Sequence, residues 1–158
     1  MPTSELQLII DSLNAKKYTQ NSGRAEFEIE LTDIEKSLIT RYEPQKSFII
    51  YGSLAPGRPN HSKVEMIKGT WRQGTVSGKL ESKGWGADLG YNGFLPTSDG
   101  EQIEISADVL TSNELANHWS VLDEFEGEGY QRILAPYTLK TGEVGVGHIY
   151  ALKEDVVK

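Results

Sequence analysis

From Lys46 onward the chain is cut into short apolar runs by glycine-punctuated turns, and that texture limits its fold more than any other feature. Strand-like segments fall at 47–51, about 74–81, about 103–110, 132–139 and 144–151. The spacing predicts an α+β domain built on a mostly antiparallel, curled sheet or small barrel. With 158 residues, one core is expected rather than two. Ser82 to Gly100 holds five glycines and Trp85 without a clean period, and is expected to be a long loop.

Residues 1–45 differ in texture and are expected to form an N-terminal appendage, with the main domain spanning 46–158. Leu6, Ile9, Ile10 and Leu13 recur at helical spacing over 4–17, and Tyr18 to Gly23 is a run of turn formers. Phe27, Ile29 and Leu31 alternate with Glu26, Glu28 and Glu30, which predicts a half-buried strand. Thr32 and Glu35 make a capping box for a second helix that carries Ile34, Leu38 and Tyr42 on one face and stops at Pro44.

Sixteen basic residues against 23 acidic ones give a formal net charge of −7, a field that repels polyanions, so no nucleic-acid partner is expected. Ile9-Ile10 is followed at once by Asp11, so neither a leader nor a membrane span is expected, and a cytoplasmic location follows. The lack of Cys removes thiolate nucleophiles and fits a reducing compartment. His61, His118 and His148 are scattered, without metal-ligand spacing. Neither a metal nor a cofactor is implied.

Two places carry chemistry. Phe48-Ile49-Ile50-Tyr51 stops abruptly in Gly52-Ser53-Leu54, a strand delivering a backbone-rich turn whose N–H groups suit an anion or a carbonyl oxygen. The second is a helix expected to open at Thr111, with Glu114 in capping register, and to close at Gly127. At about 100° per residue, Leu115, Trp119, Leu122 and Glu126 share one side, while Glu124 projects nearly opposite. A carboxyl among Trp and Leu, at the negative end of a helix and beside Asp123, Glu124 and Glu128, has its charged form disfavoured. Its pKa should rise toward neutrality, as a general acid/base requires. The plainer alternative is a helix that frays before Glu126 and leaves a solvated acidic end.

Tyr51-Gly52-Ser53-Leu54 with Gly57 and Asn60-His61, and Leu122-Asp123-Glu124-Phe125-Glu126-Gly127 with Tyr130 and Arg132, resemble the γ-glutamylcyclotransferase-like superfamily. The likeness covers about Ser47 to Ala151. The branch it resembles most is the one named after plant avirulence-induced genes, with γ-glutamylamine cyclotransferase as its characterised enzyme. The resemblance implies a small mixed β-barrel with flanking helices. It also implies a substrate loop at Tyr51, Gly52, Ser53 and Leu54, and a catalytic acid/base at Glu126.

A small γ-glutamyl substrate would carry its own nucleophile, the α-amine, which closes on the γ-carbonyl to give 5-oxoproline. The enzyme then supplies orientation and proton transfer, so the absence of Cys and of a Ser-His pair is no obstacle. Tyr130 and Arg132, two apart on a strand, share a face and are either structural or ligand-facing, with structural support the default. Asn60 and His61 are expected to brace the loop. The alternative to an enzyme is a non-catalytic module that binds a small ligand on the same fold. Phosphate binding ranks last, because the Gly-x-x-x-x-Gly-Lys-Ser/Thr spacing is missing. The pattern leaves the departing amine and the oligomeric state open.

Overall fold

The computed structural model describes residues 3–21, 30–51, 61, 64–81, 93–96, 103–126 and 130–152. Among them are β1 (Ser47–Ile50), β2 (Thr70–Glu81), β3 (Gly93–Leu95), β4 (Ile103–Thr111), β5 (Tyr130–Leu139) and β6 (Val144–Leu152). Antiparallel ladders join β1 to β4, β4 to β2, β2 to β5 and β5 to β6, and a parallel contact at Phe48 and His148 returns β6 to β1. A closed five-stranded barrel results. β3 lies against the far ends of β2 and β6.

Closure demands close backbone approach at the two shortest seams, and a glycine supplies it at each. A Cβ on Gly74 would stand 2.5 Å from the Thr138 carbonyl oxygen at the β2–β5 seam, and one on Gly147 would stand 2.9 Å from the Ser47 carbonyl oxygen where β6 meets β1. Alternation then sorts the side chains. Ile49, Val76, Val109, Ile133, Tyr137 and Ile149 fill the barrel, while Phe48, Ile50, Leu110 and Tyr150 face outward under a helical cover.

Among the described residues β5 pairs with β2 at Thr138 and Leu139 alone, and no strand pairs with that edge of its first half. The N-terminal helices α1 (Thr3–Ala15), α2 (Tyr18–Asn21) and α3 (Asp33–Tyr42) cover it. Leu6, Ile9, Ile10 and Leu13 of α1 pack with Leu38 of α3 on Leu134 and Val146. The Asn14 amide donates to the Leu134 carbonyl and accepts from the Leu134 N–H, both at 2.9 Å, standing in for a missing strand. Two residues along the same edge, the Thr19 hydroxyl donates to the Arg132 carbonyl. Thr32 and Glu35 form the reciprocal capping box expected of them. The Glu35 carboxylate, 1% exposed, also receives Ser12 of α1 and Lys16 just beyond it. Burial alone would raise its pKa, but hydrogen bonds from Lys16, Ser12 and the Thr32 N–H outweigh it and hold the carboxyl at about 2.

Several expectations need correction. Tyr18–Asn21 is a helical turn rather than open turn, because Lys17 at φ 58° ends α1 and redirects the chain. β2 begins at Thr70, before the position expected. The supposed loop at 82–100 contains β3, whose Phe94 is buried. Thr111 does not open a helix: it ends β4, paired with Ser47 and Thr70. Ser112 takes over, its hydroxyl accepting from the Glu114 N–H, before a 3₁₀ turn at Leu115–Asn117 and then α4 (Trp119–Glu126). The strand expected at Phe27 to Leu31 lies mostly outside the described residues, and Glu30 and Leu31 are not in a strand. No helix among the described residues is long and apolar enough to cross a membrane.

Candidate active site

α4 lies over the outward faces of β1, β5 and β6. Trp119 and Leu122 bury themselves among Phe48, Ile50, Leu115 and Tyr150, with Phe125 and Tyr130 packed alongside. Trp119 meets Phe48 edge-on at 5.3 Å between centroids and stacks on His148 at 4.6 Å. Its indole N–H donates to the Gln45 carbonyl at 3.3 Å. These anchors fix the helix rotation and therefore the direction of its last turn.

Glu126 closes that turn, half-buried and on the side shared with Trp119 and Leu122, while Glu124 is exposed. Burial first, and repulsion from Asp123 second, push its carboxyl up to about 7. At neutral pH it is divided between acid and base. The Tyr51 hydroxyl is held well above the usual phenol range, mainly by burial, with the charges of Glu126 and Tyr130 adding to the effect. It donates to the Tyr150 carbonyl at 2.7 Å and accepts from the Phe94 N–H at 2.8 Å, which pins β3 to the end of β1.

Asp123, one turn before Glu126, is the hub of a polar cluster. Arg132 donates to both its oxygens from one guanidinium nitrogen, at 2.9 and 3.0 Å, and the Tyr150 hydroxyl donates at 2.6 Å. Burial, then the hydrogen bond to Asp123, keeps Tyr150 protonated. The other terminal nitrogen of Arg132 donates to the Thr19 carbonyl at 2.7 Å, and the guanidinium carbon sits 4.7 Å over the Trp119 ring. His148, 2% exposed, is kept neutral by burial and by Arg132, and its ring nitrogens have no partner among the described residues.

The site residues named from sequence thus divide into three sets. Glu126 and Tyr130 each come within electrostatic reach of Tyr51. Arg132 hydrogen-bonds Asp123, and the His61 ring lies against Trp71 at 5.2 Å. Gly52, Ser53, Leu54 and Asn60 lie outside the described residues. Missed altogether were Tyr150, Thr19 and the supporting role of Asp123. Counting back from the Thr138–Val144 pair puts Tyr150 opposite Arg132, so the hairpin register held a signal for that pair. Among the described residues no three His, Asp or Glu side chains gather as a metal site would require.

A family model described as gamma-glutamyl cyclotransferase, AIG2-like, matches residues 48–158. No curated protein sequence matches the chain significantly. Among solved structures, YkqA from Bacillus subtilis superposes with a TM-score of 0.54 at 21% identity, covering 68% of this chain and 36% of that one. An AIG2-like protein from Mus musculus gives 0.51 at 18% identity, over 71% of this chain and 82% of that one. Both likenesses are of fold, and the chain spans about a third of the Bacillus protein's length.

Proposed function

The chain belongs to the gamma-glutamyl cyclotransferase, AIG2-like family, and from that premise we propose that it cyclises the γ-glutamyl group of a small γ-glutamyl amine or peptide to 5-oxoproline. The observation that carries the proposal is Glu126: a half-buried carboxyl at the end of α4, pushed up to about 7, on the cyclotransferase-type fold. A group poised at the working pH both accepts and returns protons efficiently.

In this scheme the substrate's α-ammonium, of ordinary pKa about 8, gives its first proton to the Glu126 carboxylate and becomes a nucleophile. The amine attacks the γ-carbonyl, and the new C–N bond closes a five-membered ring. Glu126 delivers that proton to the departing nitrogen, then carries the second one across as the tetrahedral centre collapses and the old C–N bond breaks. The lactam nitrogen keeps one hydrogen, and the amine leaves as an ammonium. Holding the substrate curled supplies much of the rate, since well-placed intramolecular reactions reach effective molarities of ~10⁵ M or more. We assign substrate oxygens to the segment Tyr51 to Leu54, with backbone N–H groups of Gly52, Ser53 and Leu54 as donors to the developing charge. A cytoplasmic setting suits a chain without Cys.

Glu126→Gln should fold normally and release 5-oxoproline ~10² to 10⁴ more slowly from its best donor among γ-glutamyl amino acids, γ-glutamyl-ε-lysine and glutathione. In the unmodified protein kcat/KM should rise with pH through about 7. Undiminished turnover by the Gln variant would end the assignment. Saturable binding of these donors without any turnover by the unmodified protein would identify a binding module instead.

A further inference from the structure

The support of Glu126 does not stop at the edge of the family match. Asp123 precedes Glu126 by three residues on α4, so the two carboxyls are neighbours on the helix surface. Asp123 is held from outside the helix by Arg132 of β5 and by Tyr150 of β6. Arg132, 9% exposed, is itself gripped at two points by Thr19: its guanidinium donates to the Thr19 carbonyl at 2.7 Å, and its own carbonyl accepts from the Thr19 hydroxyl. Thr19 is 3% exposed and sits in α2, upstream of residue 48 where the family match begins.

We propose that Arg132 is a positioning residue for Glu126, acting through Asp123, and that the N-terminal α2 turn is the other half of its holder. The inference rests on Glu126 as the acid/base. The geometry favours it over plain packing because Arg132 spends one terminal nitrogen on the buried Thr19 carbonyl, turns the other to both oxygens of the exposed Asp123 carboxylate, and lays its flat face on Trp119, the residue that anchors α4. A guanidinium bound on three sides has one orientation, and the Asp123 carboxylate inherits it. Among the described residues, the groups acting on this part of the site include Asp123 on α4, Tyr51 beyond β1, Tyr130 and Arg132 on β5, and Tyr150 on β6. Asp123 is the charge among them that repels Glu126, so whatever fixes or frees Asp123 changes the proton affinity of Glu126.

The decisive measurement is the Glu126 titration midpoint in the full chain, read by carbon NMR on glutamate-labelled protein, with the E126Q spectrum identifying its signal. It needs no turnover, so it fails or succeeds separately from the cyclotransferase assignment. Arg132→Gln strips Asp123 of its counter-charge and should raise the midpoint by on the order of one pH unit, whereas Asp123→Asn should lower it. Combined with Asp123→Asn, the Arg132 substitution should have almost no further effect. Should it keep its full effect there, Arg132 does not act through Asp123. Arg132→Lys keeps the charge but cannot reach the Asp123 and Thr19 oxygens together, and should give a smaller rise in a chain whose folding is least disturbed. Thr19→Val retains the shape and removes the hydroxyl grip; the midpoint should move in the direction of Arg132→Lys, with kcat falling more than KM changes. A Thr19→Val chain with the parent midpoint and kcat would strike the Thr19 hydroxyl from the holder, and with it the claim that a side chain of α2 supports the site.

Discussion

A carboxyl that keeps its proton to about pH 7 in the folded chain and to about 4.5 in the unfolded one makes the native state lose stability as the pH rises between those values. The sign follows from proton counts: in that window the native chain binds more protons than the unfolded chain, so unfolding releases protons and is favoured by higher pH. Glu126→Gln removes the penalty because an amide does not ionise. The variant should therefore be more stable than its parent at pH 8, by on the order of 1–3 kcal/mol, and should converge with it near pH 4, as calorimetry over that range would show. Gain of stability together with loss of turnover is what a functional carboxyl predicts. A solvated acidic helix end predicts neither. The side of α4 on which Glu126 falls was legible because helical periodicity needs only the helix itself, and Trp119 and Leu122 mark the buried stripe. The hydrogen bonds from Arg132 and Tyr150 to Asp123 were not legible, since they depend on how β5, β6 and α4 are placed in space.

Barrel closure is decided at the element scale by two backbone crossings. Gly74→Ala would drive a methyl group into the Thr138 carbonyl at 2.5 Å, with the Leu139 Cα at 3.1 Å, and neither atom belongs to a side chain that can swing away. The β2–β5 seam would have to part, at a cost of about 1 to 3 kcal/mol. Gly147→Ala, at 2.9 Å from the Ser47 carbonyl, strains the β6–β1 seam by the same mechanism, somewhat less severely. Urea titrations of the two variants should rank them in that order below the parent, with unchanged slopes. Strands β1, β4, β5 and β6 could be read from the sequence because each carries a run long enough to show its pattern. β3 could not, since its three residues are held by partners far away in the chain. Thr111 misled because a threonine three residues before a glutamate satisfies a capping pattern and a strand end equally well, and the ladders to Ser47 and Thr70 chose the strand.

At the scale of the whole molecule, the N-terminal helices and the barrel are joined by an apolar interface sealed with polar contacts at its rim. Leu6, Ile10, Leu13 and Leu38 supply the interface against Leu134 and Val146, and Asn14 and Thr19 satisfy the open edge of β5. Glu35 ties α1 to α3 above this layer, and its stabilising charge is sensitive to acid. Its carboxyl titrates at about 2 in the native state against 4.5 when free, so the stability it confers is complete above about 4.5 and disappears as the pH falls toward 2. Glu35→Gln keeps an acceptor for the Thr32 N–H but leaves Lys16 without its counter-charge. At pH 7 its Tm should lie about 3–8 °C below that of the parent. The gap should narrow through the interval from pH 4.5 to 2, because protonation removes the same charge from the parent. Since α2 follows α1 directly and holds Arg132, acid loosening of this layer should also weaken the grip on Asp123. Thermal melts of the Gln variant at pH 7 and its Glu126 titration across neutral pH check both consequences: a lowered Tm with an unmoved Glu126 midpoint would uncouple the helical layer from the site while leaving its role in stability intact.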